Sequence, residues 1–418
     1  MDGSKITVEP TTPGDDADGT PAWRVTLWAM VAVQLIMSAA FTFLSPVLPL
    51  FLPTLGVAAG GPLEFWTGLL ASIASFFAAF MAPVWGRMSD RHGRKPMVLR
   101  SCFAIGVFTF LMGFAASVWH LLALRALLGA FAGFSSSSVV LVASQVPARR
   151  LGYSLGVLST GQLVGSLMGP VLGGAMADLT GSFRIPFFIA GVVSLTAFAL
   201  CWLLVPERFA RPAGKQQSPS LRQSVRSLRR THGMAALMLV LLLTQFAIMA
   251  VAPIITLFVK QMIGVRPDLA TLGGLAFSVT GLAGVFAVPV LGRLGDRFGE
   301  RQVLLFTLAG AALLTAPQAF VDNYWMFVAE RFGVGLFVGG IVPAVNTLIA
   351  KLTSPGERGM IYGLTSSAYF LGNSIGPVTG GAVAAVSGLH AVFLLSAGLL
   401  FANLVWVWFT VSNPRHGP

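Results

Sequence analysis

The sequence has 418 residues, of which 55% are hydrophobic and 10% are charged, and its formal net charge is +12. Soluble proteins carry about 25% charged residues, so this composition excludes an ordinary soluble domain. Apolar runs of about 20 residues, long enough to cross a bilayer as helices, recur along the chain. The period-two alternation of a membrane β-barrel is absent. The sequence therefore predicts an all-α membrane protein.

The first segment, residues 1–22, is polar and acidic. It lacks the basic start and the short apolar run of a cleavable signal peptide. Its composition offers too little apolar surface to form a core, so we expect a disordered cytoplasmic tail.

Twelve apolar windows follow, separated by charged and turn residues. The polar segment 207–233 is a predicted cytoplasmic linker between an N-terminal six-helix half, 23–206, and a C-terminal six-helix half, 234–413. Residues 414–418 form a second cytoplasmic tail. The twelve predicted spans lie near 25–52, 65–85, 101–117, 119–142, 152–177, 185–206, 235–259, 270–291, 302–320, 324–348, 359–386 and 388–412.

The basic residues determine the predicted orientation. Of the 27 Lys and Arg, only Arg184, Lys260 and Arg266 fall in loops that follow odd-numbered spans, and Arg125 and Arg331 lie inside spans. The others lie in the tails, the linker and the opposite loops, which is the positive-inside pattern. We therefore expect a multi-pass protein of the cytoplasmic membrane with both termini in the cytoplasm. The same placement argues against a nucleic-acid-binding face.

A dense charge cluster follows the second predicted span, and a diluted copy lies 206 residues later. We expect each copy to be a tight loop. A carboxylate there can bind loop arginines or the N-terminus of a neighbouring helix, which predicts a gating role; the alternative is a simple topology anchor. The second copy has Glu300 where the first has Arg94. The residues assigned to this gating motif are Gly86, Asp90, Arg91, Gly93, Arg94, Lys95, Gly292, Asp296 and Arg297.

Other landmarks repeat at nearly the same spacing. Trp119 and Arg125 recur 206 residues later as Trp325 and Arg331, and the motif Gly165–Gly174 recurs after 207 residues. These repeats predict two pseudo-symmetric halves related by an axis along the membrane normal, with the substrate path between them. Glycines four residues apart let helices approach closely. The residues assigned to this packing motif are Gly161, Gly165, Gly169, Pro170, Gly173, Gly174, Gly376 and Pro377.

Arg125 and Arg331 each lie six residues, roughly 9 Å along a helix, inward from an interfacial tryptophan. A charge near mid-membrane costs about 2.5–3.5 kcal/mol or more, so such arginines normally face a polar cavity. The alternatives are a structural hydrogen-bond hub or outward snorkelling. Glu330 is the one acidic residue predicted within a span and is a candidate protonatable group; exposure at the outer rim is its alternative. Arg125, Glu330 and Arg331 are therefore the candidate functional ionisable residues within the spans.

Isolated polar and adaptable apolar residues supply the candidate substrate cavity. An amide in a membrane span needs a partner or water, so each amide is expected to face the bundle interior, where it contacts either substrate or another helix. Phenylalanine and methionine can form an adaptable apolar wall, although packing against the core or lipid is an alternative for each. The cavity candidates are Gln34, Phe41, Gln162, Gln245, Met249, Asn346, Phe370 and Asn373.

From Trp23 to Asn413 the chain resembles the major facilitator superfamily. Gly86–Lys95 resembles its cytoplasmic loop motif, Leu121–Gly133 its fourth-helix motif and Gly161–Gly174 the fifth-helix motif of drug/proton antiporters. Pro46–Pro49 resembles the first-helix pattern of the twelve-spanner drug/proton antiporter family. Several shorter stretches are similar to the MdtG-type multidrug exporters.

The resemblance implies the major facilitator fold and a secondary active transporter that exports drug-like amphipathic molecules by alternating access. It implies a role for Asp90 in gating and for Arg125 in proton coupling. The expected partners are a small-molecule substrate, protons and the lipid bilayer, and we expect a monomer that needs no cofactor, with the proton gradient as its energy source. Many relatives have an acidic residue in the first span, and this chain has none there.

Two alternatives stay open. One is a dedicated exporter of a single metabolite or an anionic compound, with Arg125 and Arg331 neutralising charge. The other is a membrane enzyme or sensor. The five histidines are scattered, and Cys102 and Cys201 lie in apolar runs as small core residues. No catalytic set or metal site follows from them, so we expect that the protein is not an enzyme.

Overall fold

The structure is a computed structural model that describes residues 22–58, 62–206, 233–353 and 358–411. The predicted tails and the linker lie outside these ranges, apart from single residues at their edges. The described residues form helices joined by short connections. Among them, eleven helical segments are long and apolar enough to cross a membrane. The prediction of an all-α membrane protein is confirmed.

The N-terminal half contains the first six spans. The first begins as helix Ala22–Phe43 and continues, after a turn that holds Pro46, as Leu48–Phe51 and the 3-10 helix Leu52–Leu55. The fourth is divided into Val118–Ala130 and Phe134–Gln145. The second, third, fifth and sixth spans are Pro62–His92, Lys95–Met112, Leu151–Thr180 and Ile185–Leu204.

The C-terminal half repeats this plan. The seventh span is interrupted at Pro253, 207 residues after Pro46, and consists of Met234–Val251, the 3-10 turn Ala252–Ile254 and Ile255–Ile263. A proline has no backbone N–H, so it breaks the ladder at the same place in both halves. The eighth to twelfth spans are Leu269–Phe298, Glu300–Thr315 with Pro317–Phe320, Tyr324–Leu352, Arg358–Ser387 and Leu389–Thr410.

The eleventh span lacks a stretch as apolar as those of the other spans. Arg358–Ser387 is 30 residues long, yet it is not among the eleven segments that are apolar enough to cross a membrane by composition. Its central region carries Ser366, Ser367, Tyr369 and Asn373. Such residues lower the apolar character of a helix that is surrounded by other helices.

Glycines fix the packing inside each half. The first helix packs on the fifth and the seventh on the eleventh. A side chain at Gly173 would collide with the carbonyl oxygen of Phe43, and one at Gly380 would collide with the carbonyl oxygen of Ala250. Gly380 and Ala250 lie 207 residues after Gly173 and Phe43, respectively, so the two halves share one packing scheme.

Two seams join the halves: the fifth span packs on the eighth, and the second packs on the eleventh. We call the end of the bundle that carries residues 93–95, 148–150 and 299 the basic end. At the opposite end both seams are closed, because a side chain at Gly174 would collide with the backbone of Ala270, and one at Gly68 would collide with that of Pro377.

The seam between the fifth and eighth spans separates toward the basic end. A Cβ added at Gly156 of the fifth span or at Gly292 of the eighth would meet no atom within 4 Å. Thr160 and Val288, on the same stretches of these two helices, are exposed. Both seams are therefore closed at the opposite end, and the seam between the fifth and eighth spans is open at the basic end.

The expectation of a tight loop over Gly86–Lys95 is wrong. The helix of the second span continues through His92, and the helix of the third begins at Lys95. Gly93, with φ at +97°, makes the reversal together with Arg94, and in the second copy Gly299, with φ at +93°, does so alone. Glycine adopts this left-handed conformation without steric cost, so a single residue suffices, and the remaining charges extend the helices.

Candidate functional site

Arg125 and Arg331 lie in equivalent positions of the two halves. Arg125 Nη1 donates a hydrogen bond to the carbonyl oxygen of Leu70 at 3.2 Å, and Arg331 Nε donates to that of Ala276 at 3.3 Å. The acceptors are also 206 residues apart. Each guanidinium ties the fourth or tenth span to the second or eighth within its own half. This geometry matches the hydrogen-bond hub that the sequence left open as an alternative.

Glu330 is next to Arg331 but does not bond it in this arrangement. Its Oε2 atom is buried without a hydrogen-bond partner, while the Arg331 guanidinium donates to Ala276. A buried carboxylate oxygen without a donor is costly. Glu330 therefore combines a buried acceptor with a protonatable group, which keeps it a candidate for proton coupling.

The structure brings two of the predicted cavity amides together. Gln245 Nε2 donates to Asn373 Oδ1 at 2.8 Å, which joins the seventh span to the eleventh. Tyr369 lies one turn before Asn373 on the same helix. Because Gln245 is only 5% exposed, its role here is to bond another helix, whereas Asn373 is half-buried.

The other cavity candidates are separate from this pair. Gln34 is 1% exposed and its Nε2 atom lies 3.4 Å from Ser135 Oγ in the fourth span. Its Oε1 atom is buried without a partner. The remaining candidates range from half-buried to exposed: Met249, Asn346, Gln162, Phe41 and Phe370.

The break in the fourth span is held by two residues that the sequence did not identify. Trp85 Nε1 donates to the carbonyl oxygen of Ala130 at 2.6 Å, and Arg100 Nη2 donates to that of Ala132 at 2.9 Å. The Arg100 guanidinium lies over the Trp85 ring, 3.6 Å from its centroid. These donors satisfy carbonyls that the end of a helix leaves free, and the chain restarts at Gly133, with φ at +113°.

The tenth span needs no such support. The positions equivalent to Trp85 and Arg100 hold Leu291 and Phe306, and Tyr324–Leu352 is continuous. The halves thus differ at the fourth and tenth spans. The indication of the role of Arg100 in the sequence was weak, because a basic residue near the predicted edge of a span is normally interpreted as a cytoplasmic loop residue.

The charged residues of the gating motif anchor the third and ninth helices by opposite means. Arg94 Nη1 donates to the carbonyl oxygen of Val140 in the fourth span at 3.0 Å. At the equivalent position the buried Glu300 binds Lys351 Nζ of the tenth span at 2.6 Å. One arginine–carbonyl bond and one ion pair make the same connection, so the change of charge between the copies is compensated locally.

The side chains of Asp90 and Arg91 lie outside the described part of the structure, although their backbone is helical. Asp296 and Arg297 are exposed at the basic end. Lys95 Nζ donates to the carbonyl oxygen of Trp202 at the end of the sixth span.

A carboxylate that the sequence analysis did not select bridges the halves at the opposite end. Asp178, near the end of the fifth span, accepts hydrogen bonds from the first turn of the eighth span. By contrast, the described residues hold no group of His, Cys, Asp and Glu arranged to bind a metal ion. Cys102 and Cys201 are buried and form no disulfide.

Comparison with known proteins identifies a family and close relatives. The family model of the Major Facilitator Superfamily matches residues 30–272 and 237–418. The multidrug resistance protein MdtG of Proteus mirabilis is 38% identical over 394 residues, which cover 94% of this chain and 98% of that protein. MdtG of Serratia proteamaculans is 39% identical over 391 residues, covering 94% and 95%.

Solved structures show the same fold at low sequence identity. A mutant of the nucleoside transporter NupG superposes with a TM-score of 0.77 at 13% identity and covers 93% of this chain and 100% of that one. A bacterial homologue of the human lysosomal transporter Spinster, described as inward-facing and occupied, gives 0.75 at 17% identity over 94% and 97%.

Proposed function

Because this chain belongs to the major facilitator superfamily, whose members with its fold are secondary transporters, we propose that it exports drug-like amphipathic molecules in exchange for protons. The observation that carries this proposal is the identity of 38–39% to multidrug resistance proteins over nearly the full length of both chains. The coupling of export to protons goes beyond this similarity and is supported by the ionisable residues within the spans, Arg125, Glu330 and Arg331.

The arrangement of the seams supports alternating access. Both seams are closed at the end that holds Gly68 and Gly174, and the seam between the fifth and eighth spans is open at the basic end. The positive-inside rule places the basic end in the cytoplasm, so this conformation takes up substrate from the cytoplasm, as an exporter must. Rocking of the half 23–206 against the half 234–413, with 207–233 as the linker, would expose the path to the outside. One chain supplies both halves, so a monomer suffices.

Proton coupling is assigned to Glu330 with Arg125 and Arg331. No acidic residue is present in the first span. Glu330 and Glu64 each have a buried carboxylate oxygen without a hydrogen-bond partner, and of the two Glu330 is the one inside a predicted span. The two arginines hold positive charge at equivalent depths and tie the helices that line the seams. One charge that crosses 100 mV contributes about 2.3 kcal/mol, which is enough to drive export against a gradient of several tens-fold.

The two charged motifs at the basic end are assigned to gating, with unequal roles. We predict that Asp90→Asn reduces transport more than Asp296→Asn does. In the sequence of the first copy, Arg94 and Lys95 follow Asp90 after four and five residues, whereas the second copy has Glu300, which is paired with Lys351. Transport rates at matched expression measure the difference. Equal losses, or a larger loss for Asp296→Asn, would contradict unequal roles.

The proposed exchange is tested in everted membrane vesicles with an acidic interior and a panel of dye-like substrates. A transported compound should dissipate the pH gradient, and the response should be lost in Asp90→Asn vesicles. A broad panel without any such response would refute antiport. Competition between chemically unrelated compounds separates multidrug export from a dedicated exporter of one metabolite.

A further inference from the structure

Asp178 makes a complete set of capping bonds to a helix of the other half. Its Oδ2 atom accepts from Thr271 N at 2.7 Å and from Thr271 Oγ1 at 2.6 Å. Its Oδ1 atom accepts from Ala270 N at 3.2 Å. These are the second and third residues of the helix Leu269–Phe298. They carry the backbone donors that an N-cap side chain normally satisfies.

The residue that should cap this helix is occupied elsewhere. Asp268 stands at the N-cap position but makes no capping bond with its side chain. Its carboxylate instead binds Arg266, at 3.0 Å to Nε and 3.2 Å to Nη2. The eighth span therefore obtains its N-terminal cap from the fifth span of the other half, and that cap exists only while this seam is closed.

The second seam has no equivalent carboxylate. The position 207 residues after Asp178 is Ala385, which has no acceptor to offer to the N-terminus of the second span. The second seam is joined instead by a neutral bond from Val378 N to Ser72 Oγ at 2.8 Å. Among the described residues, the carboxylate cap of Asp178 therefore has no counterpart between the second and eleventh spans.

We propose that Asp178 is a positioning residue for the transport cycle that stabilises the conformation closed at this end. A carboxylate on a helix N-terminus gains from charge-assisted bonds and from the helix dipole. When the halves rock, the eighth span loses its cap and Asp178 loses three donors. The bond set therefore sets part of the free-energy difference between the two conformations. This inference rests on the alternating access proposed above.

Distances between spin labels at the two ends test this inference. Labels at Trp119→Cys and Trp325→Cys report on the closed end, and labels at Arg150→Cys and Leu352→Cys report on the basic end. The native cysteines are buried, so they need not be replaced. In lipid nanodiscs without substrate, Asp178→Asn should lower the ratio of closed to open populations at the Asp178 end by about tenfold.

The direction of the changes separates this role from general destabilisation. In Asp178→Asn the distance at the closed end should lengthen while that at the basic end shortens. Thr271→Val should act in the same direction and Thr271→Ser should behave as the original protein. Thr180→Val is the matched control, because the Thr180 hydroxyl donates to Met176 O of its own helix.

Unchanged distributions at both ends in Asp178→Asn would overturn the proposal, as would broadening at both ends together. The distances do not depend on transport. Reciprocal shifts in a protein that moves no compound would leave the role of Asp178 standing and refute the transport function. If the protein transports compounds but Asp178→Asn shifts neither distance, the transport function stands and the proposed role of Asp178 is refuted.

Discussion

Gly174→Ala should abolish transport while the protein still folds, and Gly173→Ala should lower the amount of folded protein. The two glycines are adjacent but face different partners. A Cβ at Gly174 would collide with the Ala270 backbone across the seam, whereas one at Gly173 would collide with Phe43 in the same half. Backbone cannot yield as a flexible side chain can, and overpacking costs about 1–3 kcal/mol or more. Gly174→Ala is therefore expected to prevent closure of the seam between the halves, and Gly173→Ala to impair folding of the N-terminal half.

The measurements are substrate efflux and the yield and melting temperature of purified protein. Gly398→Ala is the control, since a Cβ there meets no atom within 4 Å. The pseudo-symmetric pair gives a second test: Gly381 faces the backbone of Glu64 across the other seam, and Gly380 faces Ala250 within its half. If Gly173→Ala and Gly174→Ala had the same effect on both quantities, the division between folding and closure would be wrong.

Arg125→Met should reduce substrate-dependent proton flux at least tenfold without lowering the melting temperature. Removing a charge from mid-membrane relieves a cost of about 2.5–3.5 kcal/mol, which offsets the lost hydrogen bond to Leu70. Arg331→Met is the matched comparison, because Arg331 donates to the equivalent carbonyl oxygen, that of Ala276. We expect it to retain more flux, since the first half carries the fuller set of charged motif residues.

Proton flux in everted vesicles and thermal unfolding in detergent separate the two roles of Arg125. A variant that melts at a lower temperature but exchanges protons at the original rate would show that Arg125 is only a structural tie between the second and fourth spans. Equal losses of flux in both variants would show that the halves contribute equally.

Much of the fold was predictable because it is encoded in local patterns. Apolar length gave the spans, and spacings of 206 and 207 residues gave the two halves. The packing glycines were identified because small residues four apart have few other uses in a membrane helix. The sequence also placed Arg125 and Arg331 as equivalents, and the structure gives them equivalent acceptors at Leu70 and Ala276.

The connections that distant residues make were not predictable. Asp178 lies 92 residues before Ala270 in the helix that it caps, and a cap is recognisable in sequence only when it is adjacent to its helix. Arg100 acts on carbonyls 31 and 32 residues away. The helical continuation through Gly86–His92 was missed because glycine and charge together indicate a loop, whereas Gly93 and Arg94 alone make the turn.

The polarity of the eleventh span has a consequence for biogenesis. The translocon inserts a helix according to its apolar character, and this helix is the one that falls short. Gln245, in the strongly apolar seventh span, bonds Asn373. We expect Gln245→Leu to leave a fraction of chains with the eleventh helix uninserted, which a reporter fused after Ser387 would detect; full insertion would contradict this. The seventh span is synthesised before the eleventh, and we expect its Gln245 to promote insertion of the eleventh span into the bilayer.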